Sequence, residues 1–95
     1  MLKNIKEIEE IAVSVEPRSG GALVRFNNNY GASVIYNRNS YGFEEGLFEL
    51  AVVKFTELHD RITWNITYET PITADVIGFL TEDEVLDILK EIKEL

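Results

Sequence analysis

The sequence predicts a two-layer α+β domain: an antiparallel sheet of about five strands in meander order, with N-terminal and C-terminal helices packed on one face. Three observations predict it. Apolar residues recur at helical spacing only near the two ends. Between those ends the period is two, interrupted by short turns rich in Gly, Pro and Asn that leave no room for a crossover helix. The 95 residues, 45% of them hydrophobic, supply one core and read as a single domain, 1–95. A chain of this size buries only roughly 60–65% of the surface its unfolded form exposes.

Leu2, Ile5, Ile8 and Ile11 stand three apart with Lys and Glu between them, which predicts a short helix with a narrow apolar stripe. Val13 and Val15 then alternate with polar residues as a first strand, and Pro17 to Gly21 is a turn. Ala22 to Phe26 is the second strand, Asn27 to Gly31 a turn, and Ala32 to Tyr36 the third strand. Asn37 to Gly46 has no periodicity and reads as a long loop. Leu47 to Phe55 is apolar on both alternating sets, the pattern of a central strand shielded on both sides.

After a polar hairpin connection at Thr56 to Asp60, Ile62, Trp64, Ile66 and Tyr68 alternate with Thr63, Asn65, Thr67 and Glu69. The first set is expected to pack and the second to face water. Pro71 ends that strand, and Thr73 to Val76 reads as a single capped turn with Ile77 and Phe79 packing down. Thr81-Glu82-Asp83-Glu84 is a capping box that opens a helix, with carboxylates at the positive end of its dipole. Val85, Ile88, Leu89, Ile92 and Leu95 form its buried stripe.

Composition removes several classes of function. With no cysteine there is no disulfide, thiolate nucleophile or cysteine metal site, and with one histidine no site needs two imidazoles. A net charge of −8 is the wrong sign for a phosphate-binding surface, and the arginines and lysines of the strands are scattered, so direct nucleic-acid binding is disfavoured. No apolar run exceeds the four residues from Leu50 to Val53, far below the ~20 needed to span a bilayer. The charged segment Met1 to Glu10 lacks the pattern of a signal peptide, so a soluble intracellular protein is expected.

Paired carboxylates at Glu9-Glu10 and at Glu82 to Glu84 are explained as solvated helix residues and a cap. Glu44-Glu45 and the lone His59 are the remaining raw material for acid–base or metal-dependent chemistry. Neighbours in sequence do not converge on one point, and His59 has no partner at ligand spacing. No catalytic residue, metal site or cofactor is therefore assigned.

Two features stand out as binding candidates. The loop 37–46 carries Arg38, Tyr41, Phe43, Glu44 and Glu45, and exposed Tyr and Arg are the types that anchor interfaces. Residues 69–95 hold eight acidic and two basic residues, an acidic face suited to a basic partner or to solubility alone.

The strings Tyr30-Gly31-Ala32-Ser33-Val34-Ile35, Ser40-Tyr41-Gly42, Glu45-Gly46-Leu47-Phe48-Glu49-Leu50-Ala51-Val52 and Thr70-Pro71-Ile72-Thr73-Ala74-Asp75-Val76-Ile77-Gly78 follow in that order. Through them the chain resembles a family of small uncharacterised phage and prophage proteins, over roughly residues 22–95 and excluding the N-terminal helix. The resemblance implies a viral or prophage origin and life in a bacterial cytoplasm, and assigns neither an activity nor site residues. The expectation is a non-enzymatic module that binds a host or phage protein through the 37–46 loop or the acidic helix. The alternative is a structural, self-associating protein that pairs an exposed strand edge or helix face with its copy in a homodimer. A carboxylate-based enzyme is a distant third.

Overall fold

The computed structural model describes residues 3–73 and 75–95. Its elements are α1 (Ile5–Ile11), β1 (Ser14–Arg18), β2 (Gly21–Arg25), β3 (Tyr30–Ile35), β4 (Phe48–Leu58), β5 (Arg61–Ile66), β6 (Ile77–Leu80) and α2 (Glu82–Lys93), with a single 3₁₀ turn at Phe43–Glu45. The first five strands lie in the order β1-β2-β3-β4-β5, every neighbouring pair antiparallel. The meander and the two helices are those the sequence predicts.

The sixth strand is not. After the turn expected at Thr73 to Val76, where Ile77 and Phe79 were expected to pack down, Ile77 and Leu80 pair with Leu50 and Phe48 of β4, with an irregularity between the two pairings. Ala74 of the predicted turn, like Leu2 of the predicted helical stripe, lies outside the described residues.

The register explains the core. Ala22, Val34 and Leu50 stand side by side across three strands, as do Val24, Ala32 and Val52, so these residues share one face. On that face they meet Ile8 of α1 and Val85, Leu86, Leu89 and Ile92 of α2, all buried. Of the predicted α2 stripe, Ile88 and Leu95 are only half-buried, and Leu86 joins it.

Side chains at both ends fasten α2 to the sheet layer. At its N-terminus the Thr81 hydroxyl accepts from the Glu84 amide (3.2 Å) and the Glu84 carboxylate accepts from the Thr81 amide (3.0 Å), completing the predicted capping box. The Glu82 carboxylate accepts from the amides of Lys3 (2.5 Å) and Asn4 (3.3 Å), so one of the acidic residues holds the N-terminal segment. At the other end Asn28, in the β2–β3 turn, donates its side-chain amide to the carbonyls of Ile92, Lys93 and Leu95 at 2.9, 3.1 and 3.2 Å. The carbonyls at a helix C-terminus lack the next turn's amides; that of Ile92 also accepts from the Leu95 amide at 3.1 Å, and Asn28 adds a side-chain donor to all three.

Among the described residues no helix lies over the other face of the sheet. Leu23, Val53 and Phe55 are buried there, with Trp64 half-buried against them. The remaining cover is arginine: the Arg25 guanidinium lies 5.3 Å from the Phe55 ring centre and the Arg18 guanidinium 5.9 Å from that of Trp64.

This corrects the reading of the fifth strand. Ile62, Trp64 and Ile66 share a face with Phe55 and Val53 through the pairings Glu57↔Ile62, Phe55↔Trp64 and Val53↔Ile66. That face is the uncovered one, so Ile62 is 53% and Ile66 43% exposed, and Tyr68 is exposed as well.

Leu89→Ala, which empties a fully buried position at the helix–sheet interface, is expected to cost ~2–5 kcal/mol. Thr81→Ala and Asn28→Ala each remove hydrogen bonds at one end of α2 and are expected to cost about 1 kcal/mol. Urea denaturation, read by the far-ultraviolet circular dichroism, checks both the magnitudes and their order.

Candidate functional site

The segment between β3 and β4 is long but tightly built. The Asn37 carbonyl accepts from both the amide (2.9 Å) and the hydroxyl (2.7 Å) of Ser40, while the Asn37 side chain accepts from the Asn39 amide at 2.9 Å. Both ends of the 3₁₀ turn are glycines with left-handed backbone, Gly42 at φ 93° and Gly46 at φ 75°. The Leu47 amide returns to the Gly42 carbonyl at 2.9 Å, closing the loop upon itself.

Two aromatic residues divide the work of this loop. Phe43 turns inward: its ring lies 4.8 Å from that of Tyr36, which in turn lies 5.0 Å from buried Phe48, so Phe43 is half-buried and ties the loop to the core. Tyr41 turns outward and is 60% exposed. Its amide donates to the Glu49 carboxylate at 3.0 Å, and its carbonyl accepts from the Phe79 amide at 3.4 Å.

Phe79 is the residue the sequence misassigned. It does not pack down; it is 56% exposed and stacks against Tyr41, with ring centres 6.5 Å apart and planes inclined by 28°. Its backbone is left-handed, φ 57°, a conformation that costs an ordinary side chain roughly 1–2 kcal/mol. The cause is the irregularity in the β4–β6 pairing: one extra residue between Ile77 and Leu80 breaks the alternation and swings Phe79 outward. Strict alternation, the signal used on the sequence, fails at such a bulge. The Gly78-Phe79 pair in a short strand is the only trace it leaves.

The neighbouring glycines make the close approach of loop and strand possible. A Cβ on Gly78 would stand 2.5 Å from the Tyr41 Cβ, and one on Gly42 would stand 3.0 Å from the Phe79 Cα. Around the two rings, Arg38, Phe43, Glu44 and Glu45 complete a shallow depression of about 220 Å³. All five residues singled out in the loop thus border one surface feature. Arg38, Glu44 and Glu45 are exposed, and among the described residues the one ion pair is Arg18–Glu16, at 3.3 Å on the open sheet face. Among the described residues Arg38, Glu44 and Glu45 therefore form no ion pair.

The other candidates are dispersed. His59 and Asp60 form the two-residue turn between β4 and β5, both with positive φ (51° and 64°), as hairpin turns that match the strand twist require. Both are exposed, and among the described residues no three His, Cys, Asp or Glu side chains are grouped as metal ligands. On α2, Glu82 and Glu84 are engaged in holding the fold, leaving Asp83, Asp87, Glu91 and Glu94 on its solvated side.

A second depression, of about 290 Å³, lies on the uncovered sheet face, where Arg18 and Arg25 flank Leu23, Phe55, Ile62 and Trp64. The sequence does contain a signal for it. Two alternating apolar sets run through the central strands, and α1 and α2, with 7 and 12 residues, cover only one of them. Among the described residues no helix is long and apolar enough to cross a membrane. No protein-family model matches the chain, and neither a curated protein nor a solved structure is similar to it.

Phe79→Asn keeps a residue that tolerates left-handed backbone and removes an exposed ring. The relief of strain and the lost aromatic pair (~0.5–1.5 kcal/mol) nearly cancel, so stability is expected to change by less than about 1 kcal/mol. A buried phenylalanine truncated at the same place would cost ~3–5 kcal/mol. Thermal unfolding of the variant decides between the two.

Proposed function

We propose that this chain is a non-enzymatic protein-binding module of phage or prophage type, acting in the bacterial cytoplasm on a host or phage protein. Its contact surface is the Tyr41–Phe79 pair, rimmed by Arg38, Glu44 and Glu45. The observation that carries this reading is the backbone of Phe79: a large apolar side chain is held in solvent on a left-handed residue, stacked on a second exposed ring. Strain of this kind persists only where the surroundings impose it, and it concentrates at sites of recognition.

The hydrogen-bonded loop and the Gly42 and Gly78 contacts impose it here. A pre-arranged pair of rings loses little side-chain freedom on binding, which is why tyrosine and phenylalanine anchors contribute strongly at interfaces. The partner best suited to such a surface offers an apolar slot for the two rings with charged groups of both signs at its mouth. The exposed setting of Glu44, Glu45 and His59 supports a binding role over catalysis, because acid–base work calls for carboxylates in a cleft with unequal surroundings.

The test is affinity capture from bacterial lysate with the tagged protein and its Tyr41→Ala and Phe79→Asn variants, at low and high salt. A single stoichiometric partner is expected to survive high salt with the wild type and to be lost with either variant. Tyr41→Ala is expected to weaken the purified complex at least ~30-fold, the effect of removing an anchor worth about 2 kcal/mol. Melting temperatures of the variants should match the wild type. Retention of the partner by both variants, or its release by salt alone, would move the contact to the acidic helix.

A further inference from the structure

The two edges of the sheet are built differently. β1, at one edge, carries Pro17, which has no amide to donate, between the charged residues Glu16 and Arg18. These are the devices that keep an edge from pairing with another chain. β5, at the opposite edge, reads Arg-Ile-Thr-Trp-Asn-Ile: no proline, no carboxylate and a run of β-branched and aromatic residues. Among the described residues it pairs with β4 alone.

The register shows which backbone groups face outward. Leu58 and Arg61 flank the two-residue turn and exchange hydrogen bonds, so Arg61, Thr63 and Asn65 point their amides and carbonyls toward β4. The Thr67 amide, donating to the Val52 carbonyl at 2.9 Å, continues the same phase. Ile62, Trp64 and Ile66 therefore present their amides and carbonyls at the free edge. Their side chains are also the ones on the uncovered face.

From this arrangement we infer that β5 pairs antiparallel with β5 of a second copy, about a twofold axis at Trp64. In that register Trp64 faces Trp64, and Ile62 faces Ile66 in both directions, so every outward amide and carbonyl of the strand gains a partner. The uncovered apolar face becomes continuous across the two copies. On the helix-side face Thr63 stands opposite Asn65, and Arg61 stands opposite Thr67. The pairing thus opposes no like charges. This matters in a chain of net charge −8, for which self-association elsewhere is repulsive. The acidic helix α2 packs on the opposite face, over β3, β4 and β6. The occupant of the edge is a second copy of this chain, and the surface is separate from the Tyr41–Phe79 patch.

A six-residue edge is smaller than a standard interface of roughly 1,600 Å², so the dimer is expected to have a dissociation constant on the order of 10 µM. Sedimentation equilibrium from a few micromolar to about 1 mM reads the mass. Trp64, the chain's one tryptophan, reads the interface independently by a concentration-dependent shift in its emission. Ile62→Lys, a change at an already exposed position, is expected to raise the dissociation constant at least roughly tenfold with an unchanged melting temperature. Ile66→Pro, which deletes an outward amide and leaves the hydrogen bonds to β4 their donors, should do the same. A monomer at 1 mM would overturn the inference, as would a dimer indifferent to both Ile62→Lys and Ile66→Pro. A dimer abolished instead by Tyr41→Ala would overturn it too, and would reassign that patch to self-contact.

Discussion

β4 is apolar on both of its alternating sets, and that demand organises the molecule. From Leu50 to Val53 every residue is buried, which requires a cover on each face of the strand. Its backbone is met in the same way: β3 takes one edge, and β5 and β6 divide the other between them. Burying a row of branched side chains on two faces contributes on the order of 1.5–3 kcal/mol per side chain, more than any cap or surface pair elsewhere in the chain. The helices, the neighbouring strands and the long loop are arranged around that one strand.

The two faces are satisfied unequally. Of the even-numbered set of β4, Phe48, Leu50 and Val52 join Ile8 of α1 and the buried stripe of α2 in the main core. The odd-numbered set meets no helix. Leu23, Phe55 and Trp64 are shielded by one another and by the aliphatic stems of Arg18 and Arg25, whose charged ends stay in water above the aromatic rings. Such a cover thins out toward β5, where Ile62 and Ile66 are left in solvent. A chain of 95 residues has too little helix to do otherwise.

What the sequence made legible follows the same division. Period-two alternation, turn residues and the capping box reported the strands, the meander and α2, because each is a local pattern with a local cause. The loop residues Arg38, Tyr41, Phe43, Glu44 and Glu45 were also legible, since an aperiodic stretch carrying aromatic and charged residues stands out against regular strands. Three things were hidden. The phase of β5 names a packed set but cannot say which layer lies over it. β6 and Phe79 depend on a bulge, where alternation itself breaks. Asn28 and Glu82 act across 64 and 78 residues of chain, and no local pattern carries a contact of that separation.

Two of the hidden features leave apolar surface in water, and they do so for different reasons. At β5 the surface is exposed by shortage, since the helices run out before the sheet does, and the edge lacks the proline and charge that guard β1. At Phe79 it is exposed by construction. The bulge turns the ring outward, the loop hydrogen-bonds to its amide, and two glycines permit the approach, although an inward ring on ordinary backbone would have removed both strain and exposed surface. Shortage explains a sticky edge without invoking a particular partner, and a second copy of the same strand satisfies it by symmetry. Construction calls for something the fold itself does not supply. The two proposals, self-pairing at β5 and recognition of another protein at Tyr41 and Phe79, rest on that difference in origin, and β4 with the layer beneath it holds both surfaces in place.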